Sequence, residues 1–247
     1  MPFIGFLIVI LTTVGTILFA SKRVRAKYPP VFRKIAAIAK LRRAIGLSVE
    51  DGTRIHVTLG SANLTDPANT SAFVGLSSLH RLGQLSSTSD QPPVCTSGNG
   101  GLTLLSKDVL RAVSVETNTR ELYDPDHGQL TGITPFSYAV GAMDILHEPG
   151  ISANVLIGNF GTEAGFFSTI SESNTDFTLA ASDSITAQSI FFATTRDVLI
   201  GEELYAIPAY LAYSPIHLAS LQVQDLLRWL VGIALIAGAI LKLLGIL

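Results

Sequence analysis

Residues Phe3 to Ala20 (FIGFLIVILTTVGTILFA) carry no charged side chain, and the chain turns basic directly after them. At 1.5 Å per residue such a run makes about 27 Å of helix, close to the ~30 Å hydrocarbon core of a bilayer. A second run, Leu226 to Leu247, reaches about 33 Å if wholly helical. Trp229 beside Arg228 suits an interfacial anchor there, and Lys242 lies close enough to the far end to reach the opposite headgroups. Two transmembrane helices, 3–20 and 226–247, are therefore expected to flank one folded unit at 48–225, with the lipid bilayer as the first partner.

Nine of the 17 Lys and Arg residues fall between Lys22 and Arg43, all on the carboxyl side of the first run. The positive-inside rule then puts the N-terminus outside, the folded unit in the cytoplasm and the C-terminus outside, as a two-pass protein of the plasma membrane. A cleaved signal peptide fits worse, because no basic residue precedes the run and Leu18-Phe19-Ala20 is a poor cleavage site. Residues 21–46 read as a basic juxtamembrane segment. Anionic lipid is the expected partner of Lys22, Arg23, Arg25, Lys27, Arg33, Lys34 and Lys40. Within it, Val31 to Ile45 is expected to be helical, with Val31, Ile35, Ile38 and Ile45 on one face. That face suits a membrane surface, or packing on the folded unit or on a neighbouring subunit, equally well.

The remaining charge excludes some classes. A net charge of −2, with the cations confined to one segment, gives no footprint for nucleic acid. The single cysteine, Cys95, excludes an intramolecular disulfide and a cysteine cluster for zinc.

From Asp51 onward, short apolar strands alternate with helical stretches. Strands are expected at 54–59, 94–96, 130–134, 153–157, 177–180 and 197–200. Helices are expected at 70–85, 102–115, 135–146, from about 162, and 185–195. Apolar strands joined by crossover helices argue an α/β fold, a Rossmann-like three-layer domain with a mostly parallel sheet.

In such sheets ligands bind beyond the carboxyl ends of the strands. Two glycine-rich loops lie there, Ser97 to Gly101 and Gly158 to Gly165. The second gives the candidate ligand loop Gly158, Asn159, Gly161 and Thr162, whose backbone N–H groups suit an anion at a helix start. Neither loop spells G-x-G-x-x-G or a P-loop. Glu163 reads as a capping acid on that helix. Asp124, Asp126 and His127 have the composition of a turn, and His56, His80, His147 and His217 are scattered. No catalytic residue, metal site or cofactor is assigned. Whether the chain is an enzyme is left open, leaning against, because no nucleophile elbow, H-E-x-x-H pair or activated cysteine appears.

Arg196 to Leu211 (RDVLIGEELYAIPAYL), Arg43 to Leu59, Ser137 to Met143 (SYAVGAM) and Ala153 to Gly165 (ANVLIGNFGTEAG) occur in this order. Together they resemble a family of prokaryotic membrane proteins known only as a domain of unknown function. The resemblance implies an N-terminal anchor, a Rossmann-like domain and a C-terminal apolar segment, and it carries no activity. Two functions are weighed. One is a self-associating membrane scaffold, a homo-oligomer formed through the α/β domain and the apolar helices. It is favoured by exposed-looking apolar stretches such as Tyr205 to Tyr213 and by the small face Gly232, Ala234 and Gly238. The alternative is a membrane-tethered binding domain or enzyme for a nucleotide or other small anion.

Overall fold

The structure, a computed structural model, describes residues 2–29, 33–66 and 69–244. In chain order its helices are α1 (Pro2–Ala20), α2 (Lys22–Lys27), α3 (Ala36–Glu50), α4 (Ser71–Leu85), α5 (Gly100–Glu116), α6 (Pro135–Leu146), α7 (Ala164–Asn174), α8 (Ile185–Thr194), α9 (Glu203–Leu211) and α10 (Pro215–Leu243). Its strands are β1 (Arg54–Gly60), β2 (Val94–Ser97), β3 (Gly128–Leu130), β4 (Ile151–Asn159), β5 (Phe177–Ser182) and β6 (Asp197–Leu199). The chain divides into two units, Lys34–Leu211 and the paired ends Met1–Arg33 with Ala212–Leu247.

The larger unit is built on one six-stranded sheet of order β3-β2-β1-β4-β5-β6, with every neighbouring pair parallel. This is the doubly wound Rossmann order, so the expected fold class is met. Parallel strands need crossovers, and helices on both faces leave the strands apolar on both sides. In β1, Ile55, Val57 and Leu59 point to the face covered by α3, α4, α5 and α9. In β4 and β5, Leu156 and Ala180 point to the other face, under α6, α7 and α8, where Tyr138, Phe160, Phe167 and Phe191 pack together. Each fully buried Leu or Phe of this kind is worth about 1.5–3 kcal/mol relative to exposure.

Local signals explain several helix starts. Thr134 and Ser137 form a reciprocal capping box on α6 with Pro135 in its first turn, and Asn99 caps α5. Two expectations need correction, and a third, left open, is decided. The strand expected at 130–134 is β3, at Gly128–Leu130. The stretch Tyr205 to Tyr213, read as exposed, is mostly α9, whose Leu204, Ile207, Ala209 and Leu211 are buried. The apolar face expected from Val31 to Ile45 belongs to α3, and Ala37, Ile38, Leu41 and Ile45 are part of the protein core. Pro30, Val31 and Phe32 lie outside the described residues. On the same helix the Lys40 ammonium is ion-paired with Asp197 at 2.7 Å, and the Arg42 guanidinium donates to the Tyr210 and Leu211 carbonyls.

In the smaller unit α1 packs along α10, with Gly15 against Val223. Farther along, the Arg25 guanidinium lies 5.7 Å from the centre of the Tyr213 ring, so the two segments run antiparallel. The hydroxyls of Thr12, Thr13 and Thr16 donate to carbonyls of their own helix and leave it without unmet donors at those positions. Among the described residues α10 is the one helix long and apolar enough to cross a membrane. The described apolar run of α1, Gly5–Ala20, is shorter. The expected pair of spans therefore has one member of sufficient length among the described residues, and 245–247 of the expected second span lie outside them.

Candidate functional site

The strand order reverses between β1 and β4, and a ligand in this fold would sit beyond their carboxyl ends. Three loops meet there: Gly60-Ser61 after β1, Gly98 to Gly101 after β2, and Asn159 to Glu163 after β4.

Their backbones are bonded to one another past the strand ends. Ser61 N–H donates to the Asn159 carbonyl at 3.1 Å, and Gly98 N–H to the Gly60 carbonyl at 2.9 Å. The approach is close enough to require glycine. Gly60 has a φ of +76°, and a Cβ there would lie 2.1 Å from the Asn159 oxygen. At Gly158 a Cβ would lie 2.0 Å from the Leu59 oxygen. These glycines let β1 and β4 approach where a nucleotide-binding crevice would open.

Tyr138 of α6 fills the adjoining space. Its buried phenol accepts from Gly60 N–H at 3.1 Å and donates to the Thr96 carbonyl at 3.4 Å, tying α6 to β1 and β2. Burial, above all, holds this phenol well above its usual pKa, so it stays protonated as a donor. Its ring lies 4.8 Å from that of Phe167. Tyr138→Phe is expected to lower stability by about 1–2 kcal/mol, because the Gly60 amide loses its partner in a water-free place. The midpoint of thermal unfolding of the full chain in mild detergent checks this.

Of the expected ligand loop, Gly158 is within β4 and Asn159 ends it. Asn159 Nδ2 donates to Asp183 Oδ1 at 2.8 Å, and Gly161 N–H donates to Glu163 Oε1 at 2.8 Å. Thr162 is exposed. The four residues thus share one end of the sheet, but Asn159 and Gly161 already direct polar groups to the chain itself. Glu163 does stand at the start of α7, yet its side chain makes no capping bond to that helix and reaches back to Gly161. It is 1% exposed, and Oε2 has no hydrogen-bond partner. The Glu163 side chain thus occupies the Gly161 amide that an anion at this helix start would use. The other glycine-rich loop is occupied in the same way, since Asn99 Oδ1 accepts from Gly101 and Leu102 N–H at 2.9 and 3.3 Å.

A polar chain inside the protein was not foreseen. His56 Nδ1–H donates to Asn154 Oδ1 at 2.8 Å, and Nε2 accepts from Thr96 Oγ1 at 3.0 Å. Asn154 Nδ2 continues to Ser171 Oγ, which donates to the Phe167 carbonyl at 2.6 Å. The chain crosses β2, β1 and β4 and ends on α7. Full burial lowers the His56 pKa to about 4, outweighing the bond to Asn154, so the ring is neutral. Burial also raises the Cys95 thiol to about 12, against a smaller opposing effect of Ser106, which removes it as a nucleophile. The only advance sign was alternation: His56 and Thr58 fall on the opposite face of β1 from Ile55 and Val57.

At the amino end of the sheet, a cleft of about 440 Å³ is lined by Lys40, Arg43, Ser152, Glu172, Asp176 and Arg196 among others. Two of its cations face carboxylates, Lys40 toward Asp197 and Arg196 toward Glu172 at 3.5 Å. The 124–127 segment is a 3-10 turn in which Asp124 accepts from Asp126 N–H. Among the described residues no three His, Cys, Asp or Glu side chains group as metal ligands.

Compared with known proteins, residues 3–247 match one family, described as Domain of unknown function (DUF6754). No curated protein and no solved structure matches the chain.

Proposed function

The chain belongs to the DUF6754 family, and we propose that it is a membrane-anchored, self-associating scaffold whose α/β unit lies in the cytoplasm. The observation that carries this reading is the paired helices α1 and α10. Phe3, Leu7 and Ile17 on α1, and Trp229, Ile233 and Ile236 on α10, are all exposed although the two helices pack together. Apolar surface of this extent on a helix pair is what a bilayer or a partner would cover. In this reading both helices lie in the membrane, and the basic residues Lys22, Arg23, Arg25, Lys27, Arg33 and Lys34 meet anionic lipid on the cytoplasmic side. Lys40 contributes less, since it is bound to Asp197.

Self-association is supported by the α/β unit as well. Ile133, Phe136, Val140 and Phe166 are exposed together, with the two phenylalanine rings 5.8 Å apart edge to face. Confinement to a membrane raises the effective concentration at which such surfaces meet. Full-length protein in mild detergent is expected to have a mass that is a multiple of 26.2 kDa by mass photometry. A single species of monomer mass would remove the self-association.

A binding domain for a nucleotide or other small anion is the competing reading, and the carboxylate of Glu163 on the Gly161 amide weighs against it. Millimolar nucleotides and inorganic phosphate are expected to leave the unfolding midpoint unchanged. A shift abolished by Gly161→Val would reinstate a ligand at that loop.

A further inference from the structure

Resting on the membrane reading above, we infer that one face of α10 docks against the same face of a second copy of this chain. That face is a groove of about 360 Å³ lined by Asp225, Arg228, Trp229, Gly232, Ile233 and Ile236. It flanks the face carrying Leu218, Ala219 and Val223, which is buried. Asp225, Trp229, Gly232 and Ile236 recur every three or four residues, the spacing of a helix seam.

Charge selects the occupant. The Arg228 guanidinium donates to Asp225 Oδ1 at 3.1 Å, and both side chains remain more than half exposed, at 54% and 60%. Because α1 runs antiparallel to α10 with Gly15 at Val223, residue 225 falls beside about residue 13 of α1, inside its uncharged run, which places Asp225 and Arg228 deeper than the interfacial position expected for Arg228 and Trp229 from the sequence. An ion pair at that depth is poorly accommodated by acyl chains and well accommodated by an equal and opposite pair. A second copy supplies one. In a two-fold pair of parallel α10 helices the two residues differ in height by about 4.5 Å, within reach of an arginine side chain, so Asp225 of each copy meets Arg228 of the other. Gly232 lies at the centre of the seam. A Cβ there would meet nothing within 4 Å, which leaves room for another backbone to approach.

Oxidative cross-linking of the full chain in isolated membranes tests the seam. Gly232→Cys is expected to give a disulfide-linked dimer on a non-reducing gel, and Ala234→Cys at least tenfold less, because α10 puts residue 234 about 200° around the helix from Gly232 and not on one small-residue face with it as expected from the sequence. Cys95 is buried and serves as the unmodified background. Adding Asp225→Arg to Gly232→Cys should reduce the dimer at least tenfold, and adding Arg228→Asp as well should restore it. Equal cross-linking at 232 and 234, indifference to Asp225→Arg, or failure of the double swap to restore the dimer would each overturn the seam and leave lipid as its cover. If the protein is oligomeric by mass photometry while 232 does not cross-link, self-association stands and this face is excluded. A monomeric mass would remove both.

Discussion

Gly60→Ala is expected to leave little folded protein. The new methyl group would lie 2.1 Å from the Asn159 oxygen, and the backbone at φ +76° disfavours any side chain. Relief requires β1 and β4 to part at their carboxyl ends. That breaks the bonds from Ser61 to Asn159 and from Gly98 to Gly60, which hold the three loops together. Strain, two hydrogen bonds and disturbed core contacts together reach about 4 kcal/mol or more, a large share of the ~5–15 kcal/mol that stabilises a domain. Gly52→Ala is the informative control. It too has a positive φ, +65°, but a Cβ there meets nothing within 4 Å, so its cost is the backbone alone, about 1 kcal/mol. Thermal midpoints of both variants in detergent separate the two effects. Similar midpoints would show that the strand ends are looser than described.

Acid is expected to weaken the protein through His56. Burial depresses its folded-state pKa from 6.5 to about 4, so between these values the unfolded chain binds the extra proton. Stability therefore rises with pH across that window, is complete above about pH 6.5, and is lost as pH falls toward 4, by about 3 kcal/mol. His127, half-buried and lowered chiefly by burial, acts in the same direction. In His56→Gln the slope should largely vanish, while stability at neutral pH drops because Asn154 and Thr96 lose a fitted partner. A slope that persists in His56→Gln and disappears in His127→Gln would assign the effect to His127 and contradict the role given to His56.

The architecture was largely legible because it rests on local signals. ANVLI could hardly be anything but a buried strand, and Thr134-Pro135 announces the start of α6. Alternating strands and helices then imply a parallel sheet. Features fixed by distant partners were not legible. Apolar side chains in Tyr205 to Tyr213 look the same on an exposed helix as on α9 packed beside α3 and α4, so the sequence alone misplaced them. The face of α3 posed the same problem, with lipid and core asking for the same residues. His56, Thr96, Asn154 and Ser171 become one chain only through strand register, since His56 pairs with Val94 and with Asn154 in the sheet. The glycine-rich loop after β4 was recognised as a strand-to-helix turn at the ligand-bearing end. That Glu163 would fold back onto Gly161 depends on its burial, which no spacing reveals.

Both the scaffold reading and the α10 seam depend on the apolar helix pair being held in a bilayer. Alkaline carbonate extraction of membranes from cells expressing the full chain tests this most directly. The account predicts that the protein stays in the pellet, and that charging the exposed apolar surface of α10 with Ile233→Lys and Ile236→Lys shifts a large fraction to the supernatant. Wild-type protein released quantitatively into the supernatant would contradict it.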